Sequence, residues 1–510
     1  MHVTKRYFDD TVSFIVELLR YDSSLKESEE NAPFGKETAD CLAAFLAKAE
    51  SFGFQTKNYD GYVGEVIFGE GEPFAVLAHL DVVPAGSGWK YPPFGGVIND
   101  DVSDTGVTGK KIWGRGALDD KSPAACCLFA LKALKDEGFT PNREIHLILG
   151  CNEECGWKCI EHYKSVATMP KEGFTPDADF PVIYAEKGIL HVALSFPIEN
   201  APFKTLTAGE RVNMVCDKAT ALLHKDAGGA LSLYERFTEC YYDNTTGYVV
   251  TYGKSAHASK PQDGENALEK LLAFLATTNE DCKKAYDVLF NDTLGLQAMQ
   301  DETGKLTMSP DLAEFKDGTL TVTVDIRFPA THQKDEVLSI LENAGVAYEI
   351  KNYQAPLYNN PNGKMIRTLL SVYNQRMNTQ AQPIAIGGGT YARALECGCA
   401  FGPELVGGQS TIHQPNEFVT FEHIELMNEL YYEALYRLTA EKQKYHVACV
   451  KKIRRPIDES APVSADDGVE SVYDEAPATT DDGVEAVYDE APATTDDGAN
   501  DAPAHAILLQ

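Results

Sequence analysis

The sequence predicts an α/β protein built on a mostly parallel sheet, with an α+β domain inserted into it and a disordered tail behind it. Three observations carry this. Over residues 1–185 short apolar runs alternate with helically spaced ones; a second block of strands and helices then intervenes before the chain returns to Gly-rich loops; and the C-terminal stretch is an acidic repeat. Strands alternating with helices argue for parallel pairing, because a parallel crossover needs a helix-sized connection.

Taken in order, residues 1–20 (MHVTKRYFDDTVSFIVELLR) have apolar residues interrupted by Asp9, Asp10 and Glu17. That spacing predicts an amphipathic helix and lacks the apolar core of a signal peptide. Residues 74–80 (FAVLAHL) read as a buried strand, 122–135 as a helix ending near Gly138, 144–150 (EIHLILG) as a strand, 157–163 as a helix and 180–184 (FPVIY) as a strand. From about Gly188 further strands are expected at 189–196, 247–252, 320–328 and 346–352, with helices at 265–276 and 334–343, and a closing helix at 421–444. The expected organisation is therefore one domain in two parts, 1–187 and 376–448, interrupted by an inserted lid at 188–375. In the remaining segment, 456–510, DDGVESVYDEAPATT at 466–480 recurs almost unchanged at 481–495. Such Pro-, Ala-, Thr- and acid-rich sequence buries too little apolar surface to offset the entropy of ordering. The repeats name no partner for the tail.

Composition excludes several classes. With 45 Lys and Arg against 77 Asp and Glu the net charge is -32, which opposes binding to nucleic-acid phosphates. No run approaches the ~18 apolar residues of a membrane span, so a cytoplasmic protein is expected. The 12 cysteines form no paired C-x-x-C knuckles, and reduced, structural thiols are expected throughout. Residues 402–410 (GPELVGGQS) lack the Lys of a phosphate loop, and neither H-E-x-x-H nor G-x-S-x-G occurs.

What remains is a set of acids and histidines at the ends of expected strands. His79 and Asp81 form H-x-D; Asp119 and Asp120 stand where a helix begins; Glu153 and Glu154 follow a strand; Asp177 and Asp179 lie in a turn. Singly, each is as well explained by a cap, a charged loop or a structural histidine. Together, carboxylates with few cations nearby (Arg115 and Lys121) would repel and raise one another's pKa. Two divalent ions would balance them, and mixed nitrogen and oxygen donors suit zinc, with manganese or cobalt as substitutes.

H-x-D, G-R-G-x-x-D-D-K, E-E-x-G-W, T-P-D-A-D-F-P, S-A-H-A-S and I-H-Q-P-N-E, in that order, resemble the M20 metallopeptidase family, in particular its PepV-type bacterial dipeptidases, over residues 5–445. The resemblance implies a di-metal catalytic domain in which His79 and Asp177 hold one ion, Glu154 and His413 the other, and Asp119 both. It implies that Asp81 hydrogen-bonds His79, that Glu153 is the general base, and that His257 of the lid steadies the oxyanion. Asn213, Arg327, Gly388, Gly389 and Thr390 would contact substrate, with Arg327 offering a bidentate fork to its carboxylate. The implied substrate is a dipeptide and the long insert implies a monomer. An amidohydrolase of N-acyl amino acids or an aminoacyl carboxypeptidase of the same fold is the enzymatic rival, and a non-catalytic metal-binding scaffold is the rival of another class. Cys155 and Cys216 depart from the pattern without touching an expected ligand.

Overall fold

The computed structural model describes residues 5–225, 239–408 and 410–440; the acidic repeats lie outside the described residues. The strand expected at 74–80 is observed as Glu72–His79, and the one at 144–150 as Arg143–Gly150. These two pair in parallel, with His79 beside Gly150, and Glu172–Thr175 pairs in parallel on the other side of Glu72–His79. Their near-continuous apolar residues, Phe74 to Ala78 and Ile145 to Leu149 with one histidine, are what a strand covered on both faces requires. The helix Lys121–Asp136 covers one face; nearly every residue in it is buried.

The sheet has nine strands. Parallel pairing holds at its centre and for Ile384–Ile386 against Ile183–Glu186, whereas Gln55–Tyr59, Val63–Phe68 and Leu357–Tyr358 are antiparallel additions at the flanks. A mostly parallel sheet is therefore corrected to a mixed one. The reason is local: Gln55–Tyr59 and Val63–Phe68 are joined by a short hairpin, which only antiparallel strands permit.

A second sheet of eight strands spans Gly188–Pro197 to Ala347–Gln354 and is antiparallel throughout. Its residues alternate cleanly. Leu190, Val192 and Leu194, with Leu320, Val322, Val324 and Ile326, enter a second hydrophobic core with Leu271, Leu272 and Leu275 of Ala267–Leu275 and Val337 and Leu341 of Lys334–Asn343. The odd-numbered positions between them, His191, Asp325 and Arg327, therefore share the opposite, polar face. At the entry to this sheet Gly188 lies against the Phe328 ring, where an added Cβ would come within 1.9 Å of it.

The second sheet ends at Gln354, short of the boundary expected at 375. The helix Lys364–Met377 buries Ile366, Leu369 and Val372 in the first core, and Leu357–Tyr358 already pairs with Ala185 and Glu186 of the first sheet. The closing helix runs Phe421–Thr439 and packs on Lys121–Asp136. Ten described cysteines are free thiols, but Cys397 is disulfide-bonded, so reduced thiols throughout do not hold there. Cys397 stands half-buried at the start of the strand Cys397–Ala400, whereas Cys399 is enclosed. Among the described residues no helix is long and apolar enough to cross a membrane.

Because Leu430 of the closing helix is fully buried in the first core, Leu430→Ala should lower stability by about 2–5 kcal/mol. The urea midpoint of the chain measures this; an unchanged midpoint would mean that the closing helix does not contribute to the core.

Candidate active site

The three central parallel strands end at the same edge of the sheet, and the residues that follow them converge there. His79 is the last residue of its strand, Glu153 and Glu154 follow Arg143–Gly150, and Asp177 follows Glu172–Thr175. Asp119 arrives from the loop before Lys121–Asp136, through a cis Asp119–Asp120 peptide. His413 comes from far along the chain. The strand Phe418–Thr420 pairs with Lys111–Trp113, which lays the 412–417 loop beside the Asp119 loop.

The donors are close. His79 Nε2 stands 2.9 Å from Asp119 Oδ1 and 3.5 Å from Asp177 Oδ2, and His413 Nε2 stands 2.9 Å from Asp119 Oδ2 and 3.0 Å from Glu154 Oε1. Asp119 thus offers one oxygen to each imidazole. Donor atoms of His79, Asp119 and Glu154, and again those of His79, Glu153 and Asp177, lie within 4.8 Å of one another.

The electrostatics of this cluster call for positive charge. His79 Nδ1 lies 3.0 Å from the carbonyl oxygen of Asp81, to which it can donate. Its Nε2 is then left with a lone pair, fully buried and without a hydrogen bond, facing carboxylate oxygens. Acceptors opposed in this way are stable only around a cation. Without one, protons take its place: although burial disfavours charge on both rings, Asp177 and Asp119 drive His79 well above its ordinary pKa, and Asp119 and Glu154 hold His413 up at about 10. Burial pushes the Glu153 carboxyl well above the usual range, reinforced by Asp177, Glu154 and Asp81. The residues present fit divalent metal ions.

Around the donors, the loops are held by charge-assisted bonds. The Asp81 carboxylate accepts from the backbone N–H of Glu153 at 3.0 Å and of Glu154 at 3.1 Å, and stands 3.6 Å from His79 Nδ1. The expected carboxylate–imidazole bond is therefore replaced by the Asp81 carbonyl, because the carboxylate is engaged by the two turn amides. Glu417, fully buried, accepts from Leu118 N at 2.8 Å and Asp119 N at 3.3 Å and is paired with Arg115 at 2.6 Å. Trp157 Nε1 donates to Glu153 Oε1 at 3.0 Å. Neither Glu417 nor Asp120, whose carboxylate accepts from His79 N at 3.1 Å, was given a role from sequence. The signal was present in Glu417, the last residue of I-H-Q-P-N-E, and in Arg115, a cation among acids that needed a partner.

The expected substrate contacts divide. The segment carrying His257 comes up to the 387–389 loop: a Cβ on Gly387 would lie 3.2 Å from Ser259 Cβ, and Lys260 is near enough to Asp179 to oppose the rise that burial causes in its pKa. Ser259 N donates to His257 Nδ1 at 3.1 Å, which puts the imidazole proton on Nε2. Partial desolvation, helped by the Arg327 charge, lowers the His257 pKa even though the ring is exposed. The bidentate edge of Arg327 is already taken. Nε and Nη2 each bond Asp325 at 2.6 Å and Nη1 donates to Gly387 O at 3.1 Å, so a substrate carboxylate would meet only the hydrogens left on its Nη atoms. The Thr390 hydroxyl is also engaged, donating to the buried Glu186 at 2.5 Å, and Thr390 shapes the loop rather than presenting its hydroxyl. Gly388 O accepts from Arg393, and an added Cβ on Gly389 would lie 3.0 Å from the same guanidinium. Asn213, at φ 72°, is tied to the His257 segment by its carbonyl.

With the geometry in hand, comparison with known proteins is specific. The model of peptidase family M20/M25/M40 matches residues 75–437. The Beta-Ala-Xaa dipeptidase of Lactobacillus delbrueckii subsp. lactis is 30% identical over 464 residues, covering 85% of this chain and 97% of its own. YtjP of Bacillus subtilis (strain 168), which bears a provisional dipeptidase name, is 33% identical over 460 residues, 84% of this chain and 97% of its own. Among solved structures, an M20 family metallo-carboxypeptidase of Sulfolobus solfataricus matches with a TM-score of 0.50 at 17% identity, covering 84% of this chain and 98% of its own. The di-peptidase Dug1p of Saccharomyces cerevisiae matches with a TM-score of 0.50 at 14% identity, covering 86% and 98%. At these identities the structures establish a shared fold.

Glu417→Gln leaves Arg115 buried without its counter-charge and should cost about 3–5 kcal/mol. Chemical denaturation reads this directly, and a variant as stable as the parent would show that the pair does not hold the Asp119 loop.

Proposed function

The chain belongs to peptidase family M20/M25/M40, and on that premise we propose that it is a metallopeptidase that hydrolyses dipeptides with two divalent metal ions. The observation that carries this reading is the split of Asp119 between His79 and His413, at 2.9 Å each, within a buried carboxylate cluster. His79 and Asp177 would hold one ion, Glu154 and His413 the other, and Asp119 both. The nitrogen and oxygen donors suit zinc, with manganese or cobalt able to substitute. When bound, the ions polarise the scissile carbonyl and lower the pKa of a water molecule.

Glu153 takes the proton of the attacking water and returns it to the leaving amine. Trp157 holds its Oε1, which leaves Oε2 for the proton. Its neighbour Glu154 turns instead to His413, and the Asp81 carboxylate fixes that division by gripping both backbone amides. His257, with its proton on Nε2, donates to the oxyanion that develops on the carbonyl, a contact of the kind often worth ~3 kcal/mol. Arg327 contributes the positive charge that faces the substrate carboxylate, oriented by Asp325, with Asn213 and the Gly388–Gly389 backbone completing the cleft. The second sheet acts as the lid, and its approach to the 387–389 loop within one chain supports a monomer that supplies its own His257. We place the enzyme in the cytoplasm.

Glu153→Gln should retain two zinc ions per chain and lose about 10²–10⁴-fold in kcat. Metal analysis beside steady-state kinetics checks both halves, and wild-type turnover would remove the assigned base. On a panel of dipeptides and N-acyl amino acids, the dipeptides should be cleaved, chelator should abolish cleavage and added zinc or manganese should restore it. Preference for the N-acyl compounds would make the chain an amidohydrolase, and cleavage indifferent to chelator would remove the metals.

A further inference from the structure

The polar face of the second sheet carries a buried carboxylate that the reaction as derived does not use. Asp311 is fully buried in the strand Thr307–Lys316. Against the neighbouring strand Thr319–Phe328 the register runs Pro310 with Val324, then Leu312 with Thr323, so Asp311 is the extra residue of a β-bulge. A bulge leaves its extra residue without a partner across the ladder, and Asp311 keeps the side of the sheet that carries Ser309 and Asp325. The backbone there is crowded as well: a Cβ on Gly209 would lie 1.9 Å from Asp311 O, a position only glycine can take, at φ 70°.

The Asp311 carboxylate has two protein donors. Ser309 Oγ donates to Oδ1 at 2.6 Å and the backbone N–H of Asn213 to Oδ2 at 2.9 Å. Asn213 is held in the left-handed region at φ 72°, and its carbonyl accepts from Ala258 N at 2.9 Å. Met214 bridges His257, and Val215 N donates to Ala256 O at 2.9 Å. From Asp311 the connection therefore runs through one amide to the backbone on either side of His257. The exposed His257 imidazole bonds Ser259, two residues on in the same segment, so this backbone ladder is what sets its place.

We propose that Asp311 is a positioning residue that acts through Asn213 to hold His257 where its Nε2 proton meets the oxyanion. The inference rests on the assignment of His257 given above. In Asp311→Asn the amide oxygen can accept from Asn213 N–H only if the NH2 group turns to Ser309 Oγ, which must then accept where it now donates; the charge-assisted grip on Asn213 weakens and the His257 segment shifts. A displacement of about 1 Å in a reacting group costs on the order of 100-fold.

The test is kinetic, on the metal-loaded full-length enzyme with its best dipeptide. Asp311→Asn should lower kcat about 10- to 100-fold, with KM within about twofold and with unchanged zinc content. Introduced into His257→Ala, it should add less than about twofold, because the group it positions is gone. Ser309→Ala, which removes one donor and leaves the bond from Asn213 N–H, should lower kcat several-fold with the same lack of additivity, and serves if Asp311→Asn does not fold. Wild-type kcat in these variants, or losses that multiply in full with that of His257→Ala, would overturn the proposal. If His257→Ala alone kept wild-type kcat, the assignment of His257 would fall; that outcome is distinct from one in which His257→Ala is crippled and the Asp311 and Ser309 variants are not.

Discussion

Carboxylates and imidazole lone pairs do not share a buried space without positive charge among them. That constraint organises one end of the molecule. His79, Asp119, Glu153, Glu154 and Asp177 are brought together by the parallel centre of the first sheet, whose strands end at one edge. Two of the devices that keep the loops there are themselves charged: the Asp81 carboxylate on the Glu153 and Glu154 amides, and the Arg115–Glu417 pair beneath Asp119. Each satisfies its own groups within the protein. The imidazole Nε2 of His79 is left unsatisfied, and it points into the cluster.

The second sheet answers a different requirement. In Gly188–Pro197 and Thr319–Phe328 the even positions pack on helices and make a separate core, while the odd positions His191, Asp325 and Arg327 form a polar face. Arg327 reaches Gly387 from that face, so a sheet with its own core brings its charges to a loop of the first. The division of labour follows from the period of two along a strand. Stability comes from one side, and chemistry is presented on the other.

Much of this was legible in the sequence, and the parts that were not share a cause. FAVLAHL and EIHLILG are short and nearly continuous in apolar residues, as a strand buried on both faces requires, and both appear within two residues of their expected bounds. The antiparallel flanks were hidden because a run such as QTKNY carries no apolar period at all. The helix Lys364–Met377 has a clear apolar stripe, but a stripe does not say which of two cores it enters, and so the insert was drawn too long. Residue types at the site were readable because their chemistry is rare. Their partners were not, because a carboxylate's choice between a side chain and a backbone amide depends on distances of about 1 Å: Asp81 chose the Glu153 and Glu154 amides, and Arg327 gave its bidentate edge to Asp325 rather than leaving it for a ligand.

The most direct measurement is anomalous X-ray diffraction at the zinc edge from crystals of the zinc-loaded protein. The account predicts two peaks flanking the Asp119 carboxylate, one against His79 and Asp177 and the other against His413 and Glu154. A single peak, or zinc bound away from Asp119, would contradict it.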